Sequence, residues 1–82
     1  MINAEDVEIY DTHGTRIMWG DLIPLKEWLD CVSNRLFIDY DGMGHAVQKQ
    51  EKFYRILSQQ YVYPSSPANI PAEATHILWF NR

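Results

Sequence analysis

Val7 and Ile9 alternate with Glu8 and Tyr10, the period-two signature of a half-buried strand, and predict one from about Asp6 to Asp11. Asp11-Thr12-His13-Gly14-Thr15 then supplies turn chemistry, with Gly14 free to take a positive φ, before Arg16-Ile17-Met18-Trp19 resumes an apolar run. The two strands read as a hairpin. Pro24 suits the first turn of a helix. Leu25, Trp28, Leu29, Val32 and Leu36 follow at helical spacing, while Lys26, Glu27, Asp30, Ser33 and Asn34 take the other side. Trp28 belongs to the apolar stripe and reads as a core anchor, not a ligand platform.

Phe37 to Tyr40 predicts a third strand. Asp41-Gly42-Met43-Gly44 turns it into a fourth at His45-Ala46-Val47-Gln48, because Asp-Gly is a strong hairpin signal. Residues 48–60 are read as a short helix: Phe53, Ile56, Leu57 and Gln60 share a helical face and Lys, Glu and Gln favour helix, although Phe53 to Leu57 also suits an extended run. Tyr61-Val62-Tyr63 reads as strand and Pro64 to Pro71 as a proline-stiffened surface loop. In the closing strand, Thr75, Ile77 and Trp79 share one face and His76, Leu78 and Phe80 the other. Both faces are apolar, so this strand is expected to be central. The pattern implies one α+β domain over residues 1–82, a single small antiparallel sheet packed against one or two helices.

The 82 residues support one modest core, to which eleven aromatics give bulk. Cys31 is the sole cysteine, so no disulfide framework and no Cys-rich zinc site is implied, and a reducing setting is favoured. Glu5 and Asp6 follow Met1 closely and no apolar run reaches membrane-spanning length, which makes a cytoplasmic protein without membrane contact the expectation. Residues 1–41 hold nine acidic and three basic side chains; residues 42–82 hold two and four. The acidic half disfavours direct nucleic-acid binding and suits a basic partner, although Glu5, Asp6, Glu8 and Asp11 also fit a plain solvated strand face.

Phe37-Ile38-Asp39-Tyr40-Asp41-Gly42 resembles the first motif of the haloacid dehalogenase-like phosphatases, in which Asp39 would attack phosphorus and Asp41 would serve as acid and base with magnesium. Met43, however, stands where that family has a phosphate-binding Thr, and the chain is too short for a doubly wound sheet. A calcium loop opening at Asp39 and Asp41 fails at Met43 and at Gln50, which replaces the bidentate Glu. His13, His45 and His76 show no ligand spacing, Cys31 lies on a helix flank, and no serine sits in a nucleophile elbow. The expectation is a non-enzymatic chain with no cofactor and no metal.

Asp-Tyr-Asp-Gly-x-Gly at 39–44, Tyr-Pro-Ser at 63–65 and Thr-His-x-x-Trp-Phe-Asn at 75–81 together resemble small phage and prophage accessory proteins. That resemblance implies a protein-binding module, monomeric or a small homo-oligomer, that modulates or inhibits a host protein, including defence proteins. Candidate contacts are Asp11 and His13 in the first turn, Asp39, Asp41 and His45 in the second, and the Pro64 to Pro71 loop. The alternative is a small metal- or ligand-binding domain with its site at Asp39, Asp41 and His45.

Overall fold

The computed structural model describes residues 8–11, 13–17, 20–36, 42–57 and 60–81. The elements run β1 (Glu8–Tyr10), β2 (Arg16–Ile17), β3 (Asp21–Pro24), α1 (Leu25–Ser33), β4 (Gly42–Lys49), β5 (Phe53–Ile56) and β6 (His76–Asn81). They build one six-stranded sheet in the order β2-β1-β5-β4-β6-β3.

The β1–β2 hairpin forms as read, with Ile9 opposite Ile17 and Tyr10 opposite Arg16, and Gly14 at φ +81°. β6 is central, between β4 and β3, and its two faces divide as expected. Ile77 and Trp79 join the cluster beneath α1, with Trp28, Ile23, Ala46, Val62 and Ala74. Leu78 joins the opposite cluster, with Ile9, Leu22, Val47, Tyr54 and Ile56. Trp28 is fully buried 6.1 Å from Trp79, which makes it the anchor of α1.

The helix is a clean case of local and tertiary signals agreeing. Its first amide, that of Leu25, donates to the carbonyl of Thr75 just before β6, so the missing side-chain cap is replaced by a sheet contact. It ends in a Schellman arrangement, with Leu36 N–H donating to Cys31 C=O, Arg35 N–H to Val32 C=O, and Arg35 at φ +56°. Leu36 therefore lies beyond the helix and is 59 % exposed, not part of the stripe.

Other sequence expectations are corrected, and one strand was not foreseen. The sheet is mixed, because β1 and β5 run parallel while the other pairings are antiparallel. Residues 53–56 form a strand, not a helix: Tyr54 and Ile56 are buried while Arg55 is exposed, so burial at period two prevails over helix propensity. Gly42, Met43 and Gly44 are not a turn but the start of β4, opposite Asn81, Phe80 and Trp79. Asp21 to Pro24 forms β3, a strand that the reading of Pro24 as a helix start overlooked; its partner β6 is remote in sequence. The expected Phe37 to Tyr40 strand lies outside the described residues.

The sheet must curl. Its outer strands, β2 and β3, are separated by five strand spacings, about 24 Å in a flat sheet at ~4.8 Å each. Ile17 and Asp21 are nonetheless joined by only three residues, a reach of at most about 14 Å. The two edges are therefore drawn together, and Ile17 of β2 packs against the same cluster as Leu22 of β3. That cluster fills the inside of the curl and α1 covers part of the outside. No helix among the described residues is long and apolar enough to cross a membrane.

Candidate functional site

The segment after β5 returns to the sheet at Val62, whose N–H and C=O exchange hydrogen bonds with Gly44 at 2.6 and 3.1 Å. Val62 points into the cluster beneath α1, so in an extended Tyr-Val-Tyr the flanking rings face the other way. Tyr61 is 47 % exposed and Tyr63 37 %.

Tyr61 does not hang free in solvent. Its ring lies 4.9 Å from that of His45 and 5.5 Å edge-on from Phe80, and His45 and Phe80 are 6.0 Å apart. His45 and Phe80 project from neighbouring strands on the face opposite α1, where each pleat alternates with a residue packed under the helix. Three rings from β4, β6 and the Val62 segment thus support one another, and the outermost, Tyr61, is the one exposed to water. Aromatic contacts of this geometry contribute about 0.5–1.5 kcal/mol each beyond their burial, enough to hold Tyr61 in place.

The proline loop forms the second wall. Ser66 N–H donates to Tyr63 C=O at 3.0 Å, a single 3-10 turn spans Pro67–Asn69, and Ala74 N–H donates to Pro71 C=O at 3.1 Å. Between this loop and the tyrosine segment lies a cleft of about 160 Å³ lined by Gln60, Tyr61, Val62, Tyr63, Ser66, Asn69 and Pro71. Sequence reasoning assigned the loop to the surface but missed Tyr61, Tyr63 and Phe80. The signal was present in Tyr-Val-Tyr, since burying the valine exposes both rings.

The candidate residues named from the sequence are dispersed. Asp11 and His13 share the β1–β2 turn, and His45 sits on β4 with β5 between that strand and β1. Asp11 is occupied structurally: its Oδ1 accepts the amides of His13 and Thr15, both at 2.8 Å, which closes the turn. His13 is exposed at the turn. Asp39 and Asp41 lie outside the described residues. Among the described residues no three His, Cys, Asp or Glu side chains cluster closely enough to hold a metal ion.

A polar clasp sits farther along the sheet. Thr75 Oγ1 accepts the Lys49 amide at 2.7 Å and lies 3.0 Å from His76 Nδ1. Burial, and then the positive charge of Lys49, lower the His76 pKa below the usual imidazole value. A neutral ring lets Nδ1 accept the threonine hydroxyl proton while Oγ1 accepts the amide, so the clasp ties β4 to the start of β6. The ring of Tyr54 meets His76 edge-on at 5.0 Å, and burial raises the Tyr54 pKa.

The chain matches no protein-family model, no curated protein and no solved structure.

Proposed function

We propose that this chain is a protein-binding module that acts by occupying a partner, with Tyr61 and Tyr63 as its principal contacts. The observation that carries this reading is two exposed tyrosines beside a narrow cleft, one of them braced by His45 and Phe80. Tyrosine is enriched at interfaces because a stiff ring covers much apolar area and ends in a hydroxyl, and bracing it beforehand lowers the ordering cost of binding. The resemblance to phage accessory proteins adds the expectation that the partner is a host protein whose activity is altered. His45 enters as the ring that positions Tyr61. Asp11 is assigned to the fold of its turn.

The test is capture from host lysate by the tagged protein beside its Tyr61→Ser/Tyr63→Ser variant, followed by calorimetry with the purified partner. A stoichiometric partner whose affinity falls at least about 30-fold in the variant, with the circular dichroism spectrum unchanged, is the expected result, corresponding to about 2 kcal/mol for a central aromatic contact. Equal affinity for both proteins would refute this assignment, as would the absence of any specific partner.

A further inference from the structure

The outer face of the curled sheet is only partly covered. α1 packs over β3 and β6 at one side, while the same face of β1 and β5 carries Glu8, Tyr10, Phe53 and Arg55, with Glu8 Oε2 accepting a hydrogen bond from the Tyr10 hydroxyl at 3.2 Å. Tyr10 and Phe53 meet edge to face, with ring centres 5.1 Å apart and planes at 76°. They border a depression of about 450 Å³ whose remaining walls are Asp11, Gly14, Gln50 and Arg55. That size lies within the range of small-molecule pockets.

Charge defines the occupant. The Arg55 guanidinium donates one long hydrogen bond, 3.3 Å, to Gln48 Oε1, and no carboxylate among the described residues lies within ion-pair distance of it. Asp11, which also lines the depression, has Oδ1 committed to two backbone amides. With Glu8 engaged by the Tyr10 hydroxyl and Asp11 by backbone amides, the pocket combines two aromatic rings with one cation whose donor fork is incompletely used, a combination suited to a flat ring bearing a carboxylate or phosphate. A polyanion is not favoured, because the whole chain carries a net charge of −4.

We propose that this depression binds a small planar aromatic anion, with the ring against Tyr10 and Phe53 and the anionic group on Arg55. The site stands apart from the tyrosine edge and does not depend on a protein partner.

The experiment is a nitrogen-15 amide-shift titration of the full chain with indole-3-acetate and with adenosine monophosphate. Neutral indole-3-ethanol and ring-free acetate serve as controls. Saturable shifts confined to the backbone around Tyr10, Gly14, Gln50 and Arg55 are expected for at least one anionic ring, with Kd of roughly 1 mM for a ligand of this size. The tighter of the two identifies the source as a carboxylate or a nucleotide. Arg55→Gln should weaken the anionic probe by about tenfold while leaving the weak binding of indole-3-ethanol unchanged, and Tyr10→Leu should weaken both. No saturable shift at the site, equal binding of charged and neutral rings, or acetate binding as tightly as the ring-bearing acids would each overturn the proposal.

Discussion

Gly44 should be among the least replaceable residues of this chain. A Cβ built there would lie 2.7 Å from Ile77 Cγ2, 2.7 Å from the Leu78 carbonyl oxygen and 2.8 Å from Trp79 Cε3. All three belong to β6, and one is backbone, so no rotamer change relieves the whole clash. β4 cannot simply retreat, because Gly44 is also hydrogen-bonded in both directions to Val62 on its other side. Gly44→Ala must therefore spread β6 from β4 or break the Val62 bridge. Overpacking by one carbon costs about 1–3 kcal/mol, and the constraint from both sides places this substitution near the upper end. For a domain of this size that lowers Tm by roughly 10–20 °C. Urea unfolding followed by tryptophan fluorescence should show a lower midpoint with an unchanged slope, the mark of altered stability without altered denatured-state exposure. Gly14→Ala is the contrasting variant: its new Cβ meets nothing within 4 Å, and only the φ of +81° opposes it, at about 1–2 kcal/mol. A Gly44→Ala protein within about 0.5 kcal/mol of the parent would refute the close-approach argument and return Gly44 to the role of an ordinary strand residue.

Other expectations concern caps, turns and titration. Arg35→Gly should raise stability by about 0.5–1 kcal/mol, because Arg35 holds φ +56° at the helix end where glycine suffers no Cβ penalty; a calorimetric Tm that falls would contradict this. Asp11→Ala should lower stability by about 1 kcal/mol through loss of its two amide contacts, while Asp11→Asn should retain most of it, as thermal melts would show. His76 has its pKa lowered in the folded state, so below about pH 6.5 the unfolded chain binds more protons and stability falls with falling pH. His76→Gln should flatten this part of the pH–stability curve relative to the parent, and an unchanged slope between pH 7 and 5 would show that the half-buried imidazole does not contribute.

What was legible in the sequence was local. The β1–β2 turn is closed by Asp11 and Gly14 within five residues, and α1 announces itself by an apolar stripe whose anchor, Trp28, is fully buried. The apolar pattern on both faces of β6 marked it as central because both had to be covered. What was not legible depends on partners remote along the chain. Gly42 and Gly44 looked like turn residues, but the reason for Gly44 lies in Ile77 and Trp79, which need a strand without a side chain beside them. Pro24 does stand at the helix start, as the N-cap of α1, but the pattern could not show that it also ends β3 beside β6; on an edge strand, proline's missing N–H carries no penalty. For the candidate site, His45 was singled out for its turn and as a metal or ligand contact, whereas the fold uses its ring to brace Tyr61.

The same distinction explains why two surfaces exist on so small a domain. Three residues link the opposite edges of the sheet, so closure of the curl is enforced by chain length, and one apolar cluster takes much of the inner face, leaving Tyr61 exposed beside His45 and Phe80 on that face. A single nine-residue helix is about 14 Å long and cannot cover all six strands on the outside. It is placed over β3 and β6 by Trp28 and by the Leu25 bond to Thr75, which leaves β1 and β5 with Tyr10, Phe53 and Arg55 uncovered. Lengthening α1 would therefore not substitute for a ligand there, because its axis is fixed over the other side of the sheet. The uncovered wall follows from the connection between β2 and β3 together with the anchoring of α1, and it would persist in any sequence that kept both.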